Sequence, residues 1–187
     1  MAEEVKNSVF EDFHSRILSA IGKITDDEIA AVLKREKLTV GVAESLTGGL
    51  ICERLSAAAG ASDYFVGGIV CYTNRVKVME LNISPSLIAN MGPVSDEVAR
   101  SMAENVRKKF RTSIGLSATG VAGPATVSPP KPIGLTYIAI SSDKGTESKE
   151  LKLVGNRREI REKASQAALG LLWLHVTGQQ MDGPSTR

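Results

Sequence analysis

Apolar and polar positions along the 187-residue chain switch between helical and extended periods, which predicts helices over 8–22 and 26–36 followed by a short strand over 38–42. In the second helix Ile29, Val32 and Leu33 share one face, with Thr25 placed as N-cap and Glu28 three residues on. The strand stops at a Ser/Thr/Gly turn, and helical character returns over 50–59. The near-continuous apolar run 64–72 predicts a strand buried on both faces, with Gly67-Gly68 marking a bulge or a close backbone approach. Ser95 is placed to cap a helix with Asp96 and Glu97 in its first turn and Lys108-Lys109 in its last, the order that the helix dipole favours. Strands follow over 113–119, 133–140 and 149–154, and a closing helix over 157–176.

Strands alternating with helices predict an α/β fold: a layered single domain with a mixed β-sheet flanked by helices, the late strand pair forming an antiparallel hairpin. Residues 1–24 read as a partly helical extension, 25–177 as the folded domain and 178–187 as a disordered polar tail. The stretch 120–132 holds Pro124, Pro129, Pro130 and Pro132, which is too much proline for a regular element. In such folds functional loops gather at the carboxyl ends of strands. The unusual turns after Val42 and after Ala118 are therefore expected to face one cleft.

Composition narrows the classes. With 42% hydrophobic and 24% charged residues, the chain is an ordinary soluble one, and 23 basic against 21 acidic residues leave no global field that argues for nucleic acid or a membrane. Cys52 and Cys71 do not form a C-x-x-C pair, so neither a disulfide framework nor a thiolate metal site is expected, and a reducing, cytoplasmic setting fits. The start M-A-E-E-V-K is acidic and carries no apolar run of the secretory kind. The two histidines, His14 and His175, lie near opposite ends of the chain, which argues against a Ser-His-Asp triad or a histidine zinc site. Phosphate-loop and dinucleotide fingerprints are both missing.

Three segments can carry chemistry. In Glu44-Ser45-Leu46-Thr47-Gly48-Gly49 the glycines let backbone approach a ligand, and the Ser45 and Thr47 hydroxyls with first-turn N–H groups can hold an anion; the same residues also read as a plain N-cap. Tyr72-Thr73-Asn74-Arg75-Val76-Lys77 leaves the apolar strand and enters a helix. A desolvated lysine there can act as general base for a serine, although Arg75 and Lys77 also read as surface charges. Thr119-Gly120-Val121-Ala122-Gly123-Pro124 offers backbone donors and a hydroxyl, or is merely a proline-stabilised turn. Finally, Arg157, Arg158 and Arg161 open the last helix, where the dipole does not favour cations. At least one of them is expected to meet a ligand, with solvated charge the preferred reading of Arg158 and Arg161.

Taken together, A-E-S-L-T-G-G, G-x-S-D-Y-F followed by G-G-I-V-C-Y-T-N-R-V-K, G-P-V-S-D-E-V-A, T-G-V-A-G-P with K-P-I-G-L, and G-N-R-R-E-I-R resemble the CinA C-terminal domain family in order and spacing over about residues 30–176. The resemblance implies an amidohydrolase that converts nicotinamide mononucleotide to nicotinate mononucleotide and ammonia, without a cofactor or metal and in a homo-oligomer. It places the family's site on Ser45, Ser62, Tyr72, Lys77, Thr119 and Arg157, each of the expected type. On that basis Lys77, helped by Tyr72, deprotonates Ser45. Thr119 and the Gly48 and Gly120 turns hold the oxyanion, with Thr47 and Gly49 in the same binding turn, while Arg157 and Ser62 meet the phosphate. Direct attack by a water that Ser45 positions stays open, as do a non-catalytic nucleotide-binding module and a different amide substrate.

Two departures bear on substrate. Leu46 stands where the family commonly has cysteine, and the loop 125–130 lacks the glycines usual after the Gly-Pro pair. The N-terminal partner domain of full-length CinA proteins is absent from this sequence, and residues 1–24 are too few to replace it.

Overall fold

A computed structural model describes residues 24–124 and 131–178. The expected helix over 8–22, the proline-rich segment 125–130 and the tail beyond 178 lie outside them. The first described helix, α1 (Asp26–Arg35), begins at a capping box in which Thr25 and Glu28 bond each other's backbone N–H. Then follow β1 (Val40–Glu44), α2 (Leu50–Ala57), β2 (Phe65–Val70), α3 (Asn74–Leu81), α4 (Pro85–Met91), α5 (Asp96–Phe110), β3 (Ile114–Gly120), β4 (Leu135–Ser142), β5 (Gly145–Lys152) and α6 (Arg157–Thr177). The five strands form one sheet in the order β2-β1-β3-β4-β5. β2, β1 and β3 are parallel, while β4 and β5 run antiparallel, so the sheet is mixed as the pattern predicts.

Period-two alternation sends the two halves of each strand to opposite layers. Val40, Val42, Ile114, Leu116 and Ala118 point into a core closed by α1, α2 and α6, where Leu33, Ile51, Leu55, Ala167 and Leu172 are buried. Ala43, on the other face, joins Val98, Met102 and Val106 of α5. α5 lies close on β3 because the facing residues are small. Ser117 donates to the Ala99 carbonyl, and a Cβ at Gly115 would sit 2.0 Å from the Ala103 oxygen.

Three expectations change. The 64–72 run is not buried on both faces: β2 is an edge strand with alternate residues exposed, Val66 to 52% and Val70 to 45%. β1 runs two residues further than expected, through Ala43 and Glu44, and Glu44 is fully buried. In the hairpin only Asp143 and Lys144 separate Ser142 from Gly145, since the polar edge strand β5 hides its first half among Thr146, Glu147 and Ser148. The short helix α4, capped by Ser84 with Pro85 in its first turn, was not anticipated.

The close α5–β3 approach is testable. Gly115→Ala is expected to lower unfolding stability by about 1–3 kcal/mol, as overpacking does, when measured by urea denaturation.

Candidate active site

β1, β2 and β3 are parallel neighbours, so their carboxyl ends meet at one edge of the sheet. Ser45 follows β1 directly, and its N–H donates to the Ala118 carbonyl at 2.9 Å, continuing the pairing with β3 by one residue. Cys71 does the same on the other side, its N–H donating to the Glu44 carbonyl at 2.8 Å. From there Thr73 caps α3, and Lys77, in the next turn of that helix, folds back over the strand ends. Its Nζ lies 2.9 Å from Ser45 Oγ and 2.9 Å from the Cys71 carbonyl.

Lys77 is 1% exposed, and among the described residues no carboxylate stands at ion-pair distance from it. Burial without a compensating anion disfavours the charged ammonium and lowers its pKa below the ordinary lysine value. A lysine held in this way can take a proton from the serine hydroxyl it touches. Neither cysteine competes as a nucleophile, because burial raises both thiols and the Glu44 carboxylate raises Cys52 further.

The turn after Ser45 is built differently from expectation. The Glu44 carboxylate accepts from the N–H of Gly49, Ile51 and Cys52, at 2.8, 3.2 and 2.8 Å. The amino end of α2 is thus already occupied by an anion from its own chain, and does not serve as an open anion site. Thr47 is fully buried, and its hydroxyl has no partner among the described residues. Gly48 and Gly49 have φ of 62° and 106°, the left-handed values that let the chain leave the strand and start α2. None of Thr47, Gly48 and Gly49 lines the cavity; they form the turn that presents Ser45.

The cavity, of about 170 Å³, brings together Ser45, Tyr72, Lys77, Thr119, Gly120 and Arg157. Pro93 and Val94 form part of its wall. Thr119 Oγ1 donates to the Pro93 carbonyl at 2.9 Å, so its proton ties that wall in place instead of pointing at an oxyanion. Arg157, at the first position of α6, donates to the Tyr72 hydroxyl at 2.7 Å and to the Gly123 carbonyl. Tyr72 is therefore paired with Arg157 at an exposed mouth, not with Lys77. Ser62 does not join this set. It is exposed in a short 3₁₀ turn (Ala61–Asp63) before β2, whose six residues separate it from the site by roughly 20 Å.

Of the remaining arginines, Arg158 is solvated and pairs with Glu162. Arg161 is half-buried and donates to the Leu46 and Thr47 carbonyls at 3.1 and 2.8 Å, contrary to its reading as solvated charge. Glu44 and Arg161 are the residues that sequence reasoning missed. The signals that point to them are a carboxylate closing an apolar strand, for Glu44, and a position one helical turn beyond Arg157 on the same face, for Arg161. His175 bonds Ser142 at 3.0 Å and takes no part in the site. Among the described residues no helix is long and apolar enough to cross a membrane, and no group of His, Cys, Asp and Glu side chains could hold a metal ion.

The fold is that of an α/β domain in which a serine and a buried lysine meet at parallel strand ends, with no histidine beside them among the described residues. More particularly, the chain belongs to the CinA family: the model of the CinA C-terminal domain matches residues 23–176. It is 44% identical over 151 residues to a CinA-like protein of Gemmatimonas aurantiaca, covering 79% of this chain and 35% of that protein. It is 41% identical over 175 residues to a CinA-like protein of Dictyoglomus thermophilum, covering 91% of this chain and 43% of that protein. The chain spans about two fifths of the length of the curated relatives it matches. A crystal structure of the competence/damage inducible protein CihA from Agrobacterium tumefaciens superimposes with a TM-score of 0.74 at 30% identity, over 87% of this chain and 96% of that one. A CinA superfamily protein from Enterobacter cloacae does so with a TM-score of 0.78 at 26% identity, over 82% and 94%.

The role of Glu44 can be measured. Glu44→Ala leaves three N–H groups without their acceptor, one buried and two part-buried, and is expected to cost about 2–3 kcal/mol of stability, with Glu44→Gln losing less, by chemical denaturation.

Proposed function

We propose that this chain hydrolyses the carboxamide of nicotinamide mononucleotide, releasing ammonia and nicotinate mononucleotide. The observation that carries the reading is the 2.9 Å contact between Ser45 Oγ and the buried, unneutralised Lys77 Nζ. Lys77 as free amine takes the Ser45 proton while Oγ bonds to the carboxamide carbon. The carbon–nitrogen bond of the resulting tetrahedral adduct then breaks, with the proton passing from Lys77 to the departing ammonia. Water, deprotonated by Lys77, attacks the carbonyl carbon of the Ser45 ester; the bond from that carbon to Oγ breaks, nicotinate mononucleotide leaves, and Lys77 returns the proton to Oγ.

The family to which the chain belongs, and the resemblance of its motifs to nicotinamide mononucleotide deamidases, support this substrate over other amides. Arg157 lines the cavity mouth, where its guanidinium donates to the Tyr72 hydroxyl and the Gly123 carbonyl, and the charge of this fork suits the phosphate. Tyr72, held by Arg157, lines the same mouth. With the amino end of α2 closed by Glu44, the backbone of 120–123 is the wall left to receive the oxyanion. Ser62 has no part in the site within one subunit.

Two outcomes are expected. Lys77→Met should retain the fold and lose at least about 10³-fold in turnover, read as ammonia release from nicotinamide mononucleotide; wild-type protein that binds the nucleotide without releasing ammonia would make this a binding module instead. The pH profile has a defined sign. The lowered pKa of Lys77 makes its proton-accepting form available at lower pH than for a free lysine. Turnover should rise with pH through that lowered value and fall away below it.

A further inference from the structure

We propose that Arg161 is a positioning residue for Ser45: its guanidinium, reaching across from α6, holds the two carbonyls that follow the nucleophile and thereby sets the direction of Ser45 Oγ. This deepens the reading above and rests on it for the reaction.

Ser45 lies past the end of β1, where ladder hydrogen bonds no longer hold the backbone on both sides. Upstream it is tied by its own N–H to Ala118. Downstream, Arg161 donates to the carbonyls of the two residues that follow, to Leu46 through Nε at 3.1 Å and to Thr47 through Nη2 at 2.8 Å. Two peptide planes are thus fixed by one rigid fork, which a single ammonium could not do. The fit is close. A Cβ at Gly48 would lie 3.1 Å from Arg161 Nη2, so glycine leaves the guanidinium its room.

Holding α6 on the domain does not require this contact. Ile160, Ala164, Ala167, Ala168 and Leu172 of the same helix are buried in the main core. Loss of the guanidinium should therefore loosen the turn and leave the helix docked. Arg157, one helical turn earlier on the same face, reaches the mouth of the cavity. A single helix thus supplies one arm to the expected substrate and a second to the nucleophile's backbone. Displacements of an ångström at a reacting atom cost about 10²-fold in rate, which sets the scale of the effect.

The test uses the full chain carrying Arg161→Gln, Arg161→Lys or Arg161→Gly, with two readouts. In nicotinamide mononucleotide deamidation, Arg161→Gln is expected to lower kcat by about 10–10²-fold with KM changed less than about 2-fold. In the second readout, labelling of Ser45 by a fluorophosphonate should slow by a similar factor, with no need for the true substrate. Free guanidinium should restore part of the labelling rate to Arg161→Gly and leave wild type unchanged. Arg161→Lys should fall between wild type and Gln, and it serves as the deciding variant if Gln does not fold. Equal kcat and equal labelling per folded molecule in wild type and variant, or a loss expressed only as a higher KM, would overturn the proposal. Wild type that labels readily but releases no ammonia would remove the proposed reaction; slower labelling of Arg161→Gln would still uphold the positioning role.

Discussion

The carboxylate of Glu44 has no access to solvent, and its two oxygens take the N–H groups of Gly49, Ile51 and Cys52 at the start of α2. A carboxylate buried in this way is tolerable only where such donors converge on it, and a helix start is where unpaired N–H groups are found. The contact binds the last residue of β1 to the first turn of the next helix across a five-residue turn, from Ser45 to Gly49. Ser45 is the first residue of that turn. Its place at the strand end, the sharp departure through two left-handed glycines and the seating of α2 all depend on this one charge being satisfied inside the fold.

The site adds a second buried charge whose treatment is opposite. The Glu44 carboxylate meets three backbone N–H donors from the start of α2, whereas Lys77 meets a serine hydroxyl and one carbonyl. The first arrangement leaves its carboxylate oxygens with hydrogen-bond donors. The second leaves a cation poorly compensated, and the amine is pushed toward its neutral form. These two residues come from neighbouring parallel connections, and the backbone bond from Cys71 N–H to the Glu44 carbonyl keeps the two strand ends in register. Glu44, at the end of β1, and Lys77, in the helix after β2, are thus brought to the same strand ends.

Much of this architecture was legible along the chain. The capping box at Thr25, the cap at Ser95 with acidic residues after it, and the alternating late strands are local signals, and local signals survive without knowledge of what packs where. The pattern misled where position in the sheet mattered. Residues 64–72 are apolar enough for a central strand, yet β2 lies at the edge, since hydrophobicity does not encode a strand's neighbours. β5 sits at the other edge and reads as polar for the same reason, so its start was missed.

The ordered motifs by themselves determined the mixed α/β class, the family, and a candidate set in which Ser45, Tyr72, Lys77, Thr119, Gly120 and Arg157 do meet in one cavity. Those residues sit at strand ends, and parallel β-topology gathers strand ends on one side whatever the details. Only the tertiary structure decided what each group is bonded to. It closed the helix start with Glu44, turned the Thr119 proton to Pro93, paired Tyr72 with Arg157, left Ser62 at the far end of β2 and brought Arg161 under the turn. The physical reason is that a hydrogen bond depends on a few tenths of an ångström and on direction. Residues 115 positions apart, such as Leu46 and Arg161, acquire that geometry only when the layers pack.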